Sequence, residues 1–349
     1  MANQLTELLN EKGCLLADGA TGTNYFQMGL QTGDSPELWN REHRDRVAES
    51  YKRFIDAGSD IVLTNSFGGT SCRLKLHKLD NAVDELNEQA VVIARAEVEK
   101  SGRKVLVAGS MGPTGEILEP VGTFPIAEAE QAFAQQALAL ERGGADLLWI
   151  ETLSSMEEVQ AAIAGASKTN LPIVCTMSFD TNGRTMMGVM PSDLARYANE
   201  ASTPLTAYGS NCGVGPAELV ASVLNMKDAS GSEDIIIAKG NCGIPEYVDG
   251  AIKYNGTPEL MADYVRLVVA AGARIVGGCC GTTPEHIAVM RQALDSIDGD
   301  EAVTLENVVA KLGEISTGSH AQNRKEYDME AGSASGAPRV RRSRRKASK

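Results

Sequence analysis

The sequence predicts a single (β/α)8 TIM barrel of the α/β class, followed by a flexible C-terminal tail. Eight short apolar runs alternate with eight amphipathic segments along the chain, which is the pattern of a parallel sheet wrapped by helices. The composition supports one large globular unit, because 43% of the 349 residues are hydrophobic and 23% are charged. A doubly wound open sheet shows the same alternation, so periodicity alone leaves it open as the alternative fold.

The predicted strands are almost wholly apolar, as expected when both faces of a parallel strand are buried. Several of them follow a glycine that ends the preceding helix, as in the segments DAGSDIVL, RGGADLLWI and AAGARIVGG. The eight strands are predicted at Cys14–Asp18, Asp60–Thr64, Val105–Gly109, Asp146–Glu151, Ile173–Ser178, Leu205–Ser210, Ile235–Lys239 and Arg274–Gly277.

The predicted helices alternate with these strands, and two of them begin with a recognisable cap. Thr257-Pro258-Glu259 and Thr283-Pro284-Glu285 each combine an N-cap threonine, a proline at the first helical position and an early acid. The eight helices are predicted at about 45–57, 81–100, 126–142, 155–167, 191–200, 215–227, 257–271 and 283–297.

The periodic pattern ends near Ser316, so we expect a barrel domain over residues 1–315 and a flexible basic tail over 316–349. The net charge of the chain is −13, and the last nineteen residues hold seven Lys or Arg and no acid. The preceding 330 residues therefore carry −20, which argues against nucleic acid as the main partner. The tail is either a solvated terminus or an arm that contacts an anionic surface or another subunit.

The remaining features of the composition favour a cytoplasmic protein. No apolar run approaches the roughly 18 residues of a membrane helix, and the N-terminus lacks the pattern of a secretory signal. The seven cysteines are an odd number in a long chain, which is not typical of a disulfide scaffold. The oligomeric state is not determined by the sequence, and a homo-oligomer remains open.

Polar residues and cysteines cluster where the predicted strands end, which is where barrels carry their chemistry. The cysteines there are Cys212, Cys242, Cys279 and Cys280. Thiolates at this density suit a borderline-soft cation, and zinc is the first candidate. The glycines around Cys279-Cys280 would let the backbone bend so that both sulfurs face one ion. A phosphate-binding loop and buried cysteines that only fill the core are the alternatives.

Five segments of the sequence resemble the homocysteine S-methyltransferase family, which includes betaine–homocysteine methyltransferases and the homocysteine domain of cobalamin-dependent methionine synthase. They occur in the family's order between about Leu15 and Leu294 and read LADGATGT, TNSFGG, IETLSSMEEV, GSNCGVGP and VGGCCGTTPEHI.

The resemblance implies a (β/α)8 barrel that holds one zinc ion through three cysteines. Carried over by position, the ligands would be Cys212, Cys279 and Cys280, while Cys242 stands where the family has a small residue. The resemblance also implies that Asp18 and Glu151 bind the amino group of homocysteine. Backbone amides of Gly19, Ala20 and Thr21 would face the substrate's carboxylate.

The methyl donor is the least determined part of the prediction. The sequence contains no Asp-x-His-x-x-Gly corrinoid signature, so we expect a small onium donor, glycine betaine first, that gives methionine and dimethylglycine. The alternatives are a sulfonium donor, a separate methyl-corrinoid protein, and a barrel that binds homocysteine without turnover. An onium cation prefers aromatic faces, and the aromatic residues expected near the rim are Trp39, Phe67, Tyr25 and Tyr208.

Overall fold

The computed structural model describes residues 3–248, 251–297, 303–328 and 333–334. Its strands fall into one large parallel sheet and two small antiparallel pairs. They are β1 (Leu15–Leu16), β2 (Ile61–Leu63), β3 (Leu106–Met111), β4 (Leu147–Leu153), β5 (Ile173–Met177), β6 (Ala207–Cys212), β7 (Ile236–Gly240), β8 (Pro245–Val248), β9 (Ala251–Tyr254), β10 (Ala273–Gly278), β11 (Tyr327–Asp328) and β12 (Ser333–Ala334).

The large sheet is a barrel rather than an open sheet. Its strands follow the order β1-β10-β7-β6-β5-β4-β3-β2, and every pair is parallel. The two ends of this series are joined by a parallel bridge between Ala17 and Ile61. A doubly wound sheet would place the first strand inside the sheet and leave two free edges, so this alternative is excluded.

Helices follow the barrel strands, and several shorter helices lie in the loops. They are α1 (Gln4–Lys12), α2 (Gly22–Gln27), α3 (Trp39–Glu42), α4 (Arg44–Asp56), α5 (Ser71–Leu74), α6 (Val83–Ser101), α7 (Ile126–Gly143), α8 (Met156–Ala166), α9 (Pro191–Glu200), α10 (Pro216–Lys227), α11 (Pro258–Ala270), α12 (Pro284–Asp295), α13 (Leu305–Leu312) and α14 (Thr317–Asn323). Three 3-10 turns lie at Pro36–Leu38, Lys75–His77 and Asp80–Ala82.

The structure confirms all eight predicted barrel strands and the eight helices that alternate with them, with small shifts at their ends. The predicted caps of α11 and α12 are also present. Thr257 accepts a hydrogen bond from the Leu260 backbone, and Thr283 forms a capping box with His286. Each such cap stabilises a helix by about 1 kcal/mol. The short helices and the β8–β9 hairpin were missed because their sequences lack a sustained apolar period.

The barrel has two apolar layers, one inside the sheet and one between the sheet and the helices. Inward-facing residues such as Leu63, Ala108 and Trp149 form the inner layer. Leu5, Leu8 and Leu9 of α1 belong to the same cluster, and they close the barrel at the N-terminal ends of its strands. Burying each leucine contributes about 1.5–3 kcal/mol. The opposite end of the barrel is left for polar side chains.

The beginning of the predicted tail differs from the expectation. Helix α14 (Thr317–Asn323) is capped by Ser316 and packs on α10. Glu218 of α10 is buried and accepts hydrogen bonds from the Ser316 backbone and the Ser319 hydroxyl. The Gln322 amide donates to the Gly183 carbonyl over 2.7 Å. These polar contacts hold α14 against α10, although the sequence of this segment has no apolar period.

The basic part of the predicted tail, from residue 335 onward, lies outside the described residues. Within the described ranges, no helix combines the length and the apolar composition that crossing a bilayer requires.

Candidate active site

Three of the four cysteines at the C-terminal rim of the barrel lie together. The sulfur atoms of Cys212, Cys279 and Cys280 are all within 4.8 Å of one another, and the Cys212 and Cys280 sulfurs are 3.9 Å apart. Zinc–thiolate bonds are about 2.3 Å long, so two sulfurs on one tetrahedral ion are separated by about 3.8 Å. The three thiols therefore have both the chemistry and the spacing of a metal site.

An unusual backbone conformation brings Cys212 into this cluster. Asn211 faces the barrel interior, so regular alternation would turn Cys212 outward at the end of β6. Cys212 instead has a φ of 65°, in the left-handed region that non-glycine residues rarely adopt. The reversal turns its sulfur toward Cys280. Such a conformation costs about 1–3 kcal/mol and is typical of functional sites.

A tight turn lets the adjacent cysteines of the second segment face the same point. The Thr282 backbone N–H donates to the Cys279 carbonyl over 3.1 Å. Gly281 is the third residue of this turn and has a φ of 80°, which glycine adopts without steric cost. The space is also narrow, since a Cβ on Gly281 would lie 2.4 Å from the Tyr254 ring. The glycines that flank the two cysteines thus allow the close approach that the sequence predicted.

Two asparagines brace the cysteine loops. The Asn211 side chain bonds to Thr152 twice, accepting from its backbone N–H at 2.9 Å and donating to its hydroxyl at 2.7 Å. The Asn241 side chain accepts from the Cys280 backbone N–H at 3.0 Å and donates to the Gly213 carbonyl at 2.6 Å. Each asparagine ties one cysteine loop to the end of another strand, β4 for Asn211 and β6 for Asn241, which is how outer residues orient metal ligands.

The thiols influence one another strongly. Hydrogen bonds from Cys212 and Cys279, together with one from the Tyr254 hydroxyl, lower the pKa of Cys280 despite its burial. The pKa of Cys212 is raised, because its proton is shared with Cys279 and Cys280 and because the thiol is buried. Three sulfurs so close together cannot all be ionised unless a cation lies among them. The cluster is therefore suited to a cation that stabilises three thiolates.

A charged group lies beside the thiols in the barrel interior. Asp18, Lys239 and Glu151 are 2%, 2% and 8% exposed, and the Lys239 ammonium donates to Asp18 Oδ1 over 2.7 Å. Burial raises the pKa of Glu151 from 4.5 to about 7, opposed by the charge of Lys239 and reinforced by Cys279. The Ser110 hydroxyl donates to Glu151 Oε1. The structure thus places both predicted acids near the thiols, but adds a lysine between them.

The segment Gly19-Ala20-Thr21 follows Asp18 and lies against the cysteine turn. The Ala20 N–H is already bonded to the Thr282 carbonyl at 3.1 Å. Among the described residues, the N–H groups of Gly19 and Thr21 have no protein acceptor. A Cβ on Gly19 would lie 2.6 Å from the Thr282 carbonyl oxygen. Two of the three predicted amides are therefore free to bind an anion, and the third is not.

Three of the four predicted aromatic residues are buried. Tyr208 faces outward from β6, and its hydroxyl donates to Asp234 over 2.7 Å. Trp39 is 5% exposed, stacked on Tyr25 at 5.1 Å between ring centroids, with the Arg46 guanidinium also 5.1 Å from its ring. Trp39 and Tyr25 are thus buried among other side chains and Tyr208 faces the outer layer, while a contact of any of the three with a methyl donor stays a prediction. Phe67 remains exposed after β2.

Several residues of the site were missed by sequence reasoning. Lys239 stands in the otherwise apolar run IIIAKG, and a charge within a buried strand was a usable signal. Asn211 and Asn241 were visible as a repeated Asn-Cys-Gly, but their contacts depend on strand register. Tyr254 reaches Cys280 from β9, and nothing in the local sequence indicates that contact.

Comparison with known proteins agrees with this geometry. The profile of the homocysteine S-methyltransferase family matches residues 15–294. The methionine synthases of Mycobacterium leprae and Mycobacterium tuberculosis are both 28% identical, over 85% and 88% of this chain but only 26% and 27% of their own lengths. The chain therefore spans about a quarter of these relatives.

A similar solved structure is that of the homocysteine methyltransferase MmuM from Escherichia coli in its oxidized form. It is 26% identical with a TM-score of 0.70, over 83% of this chain and 99% of that one. The family profile covers most of the chain and includes both cysteine segments. The chain therefore belongs to the homocysteine S-methyltransferase family.

Proposed function

We propose that this protein transfers a methyl group from glycine betaine to homocysteine, at a zinc ion held by Cys212, Cys279 and Cys280. The observation that carries the proposal is the trio of sulfurs within 4.8 Å at the rim, beside a buried carboxylate in a barrel of this family. A reducing compartment such as the cytoplasm suits a site built from free thiols.

The three thiols would hold the zinc ion and leave its fourth position for the acceptor. When bound, zinc acts as a Lewis acid that lowers the pKa of an incoming thiol to below neutral pH. This role fits the site because, among the described residues, no histidine lies in the cysteine cluster to act as a base.

The protein's own residues would orient the acceptor. In the described structure Glu151 Oε1 accepts from Ser110, so Oε2 is available to the ammonium of homocysteine. The N–H groups of Gly19 and Thr21 would bind its carboxylate. The acceptor thiol would give its proton to solvent, and its sulfur would form a bond to the methyl carbon. The carbon–nitrogen bond of betaine would break at the same time, and its electron pair would return to nitrogen. The products are methionine and dimethylglycine.

The kind of methyl donor is inferred from the charge of the site and of the chain. Three thiolates, Glu151 and a net charge of −13 favour a cationic donor over an anionic one. Phe67 is 37% exposed at the end of β2, so one aromatic face is available to a trimethylammonium group. A sulfonium donor has the same charge, so the test below includes one.

A second candidate has support of a different kind. The chain matches about a quarter of two methionine synthases, and exposed apolar side chains lie in the rim loops. These are Phe67, Ile117, Val121, Met186, Val214 and Ile244. In this alternative the barrel activates homocysteine and a separate methyl-corrinoid protein delivers the methyl group.

The deciding experiment incubates zinc-loaded protein with homocysteine and glycine betaine alone. We expect methionine and dimethylglycine in equal amounts, measured by mass spectrometry. Turnover only with dimethylsulfoniopropionate would replace betaine by a sulfonium donor, and turnover only after addition of a methyl-corrinoid protein would support the second candidate. Homocysteine binding without turnover under any donor would indicate a sensor, and no binding at all would refute the proposal.

A further inference from the structure

Lys239 is a charged residue in an apolar environment. It lies on β7 with 2% of its surface exposed, and its ammonium is 5.4 Å from the centre of the buried Trp149 ring. Its stem passes beside Gly277, where a Cβ would lie 3.1 Å from Lys239 Cγ. The missing side chain at Gly277 thus leaves the room that the lysine needs to reach across the barrel.

The Lys239 ammonium is paired with Asp18, and both carboxylate oxygens of Asp18 accept a hydrogen bond from the protein. Asp18 Oδ1 accepts from Lys239 Nζ at 2.7 Å, and Oδ2 accepts from the Leu63 backbone N–H at 2.7 Å. Glu151 differs, because Ser110 is the one hydrogen-bond donor to its side chain within the described ranges. The two predicted amino-group partners are therefore not equivalent in this chain.

The charges of the pocket follow from these contacts. Asp18 and Lys239 form a buried ion pair at 2.7 Å. Glu151 forms no ion pair among the described residues, and the charge of Lys239 acts on it only from a greater distance. Replacing such a buried pair with apolar residues is often neutral or stabilising. Stability alone therefore does not explain why a lysine stands at this position. Neutralising the charge of one of two neighbouring carboxylates, in contrast, changes which ligands the pocket binds.

We infer that Lys239 determines how the pocket recognises the acceptor's amino group: by neutralising Asp18, it makes Glu151 the single carboxylate that binds the ammonium. The inference rests on the proposed function, because it concerns the homocysteine pocket. It differs from the expectation that Asp18 and Glu151 share that role. Lys239 is thus a specificity-determining residue that acts through Asp18 and does not touch the reacting sulfur.

The test compares two thiols that differ only in the amino group, homocysteine and 4-mercaptobutyrate. Binding of each to the zinc-loaded protein is measured by titration calorimetry, and folding is checked by circular dichroism. Glu151→Gln should reduce the preference for homocysteine by roughly tenfold to a hundredfold, since it removes a charged hydrogen bond. The double variant Asp18→Asn with Lys239→Met removes the pair as a unit and should change the preference by less than about threefold.

If the double variant does not fold, a second variant, Lys239→Gln, still tests the inference. Lys239→Gln retains an N–H donor near Asp18 but removes the positive charge, so Asp18 becomes a second uncompensated carboxylate and the preference for homocysteine should increase. An unchanged preference would show that Lys239 does not determine it. A loss of preference as large as that of Glu151→Gln, in either variant, would overturn the inference and return Asp18 to a direct role. If the wild-type protein bound neither thiol, the proposed function itself would fall, and this inference with it.

Discussion

The same three residues, Asn-Cys-Gly, end two neighbouring strands, at 211–213 and at 241–243. The two cysteines nevertheless have different roles. Cys212 turns into the thiol cluster. Cys242 is 1% exposed, and its thiol donates to the Gly256 carbonyl over 3.1 Å. The two asparagines behave alike, since both brace the rim.

The difference between the two cysteines comes from strand register and backbone conformation. Asn211 pairs with Lys239 in the β6–β7 ladder, so the second segment lies two residues further along its strand. Cys242 lacks the left-handed φ of Cys212 and follows the regular alternation outward into the layer beneath the helices. An identical tripeptide thus supplies a thiol of the rim cluster in one place and a packing residue in the other.

The largest difference in zinc content and activity is expected between Cys212→Ala and Cys242→Ala. The first variant should lose bound zinc and more than about a hundredfold in methionine formation, because it removes a ligand and not only an outer contact, whose loss costs roughly 10–100-fold. The second should keep one zinc per chain and near-normal activity. Metal content by mass spectrometry checks both, and zinc loss in Cys242→Ala alone would reverse the assignment.

A smaller effect on zinc affinity is expected for the two asparagines, which both brace the rim. Asn211→Ala and Asn241→Ala should each weaken zinc binding by roughly 10–100-fold, because each cysteine loop loses its tie to another strand end. Competition with a chelator measures the affinity. Asn199→Ala is the control, since Asn199 bonds to Ala195 and Asp234 away from the rim. Unchanged affinity in both rim variants would show that the loops hold their shape without them.

The smallest effect concerns the glycines of the two segments. Gly213 and Gly243 have φ values of 80° and 82°, so alanine at either position costs about 1–2 kcal/mol of stability. A Cβ on Gly243 would also lie 2.4 Å from Asn255 Oδ1, whereas one on Gly213 has its nearest neighbour at 4.0 Å. Gly243→Ala should therefore be the less stable variant by about 1–2 kcal/mol in urea unfolding. Equal losses would contradict the crowding at Gly243.

Much of the fold was readable from the sequence, because local patterns determine it. Strands such as Ile173–Met177 and helices such as Val83–Ser101 have apolar periods that hold over whole elements. The caps at Thr257 and Thr283 are likewise local. The docking of α14 was not readable, since it depends on the buried Glu218 of α10 about a hundred residues earlier.

The sequence by itself determined the barrel and the set of thiols from which a metal site could be built. Only the tertiary structure decided which cysteines meet, that three predicted aromatic residues are buried, and that Lys239 pairs with Asp18. The physical reason is distance along the chain. A helix or strand depends on neighbours a few residues apart, whereas Cys212 meets Cys280 across 68 positions and Lys239 meets Asp18 across 221, so strand register and one reversed φ decide these contacts.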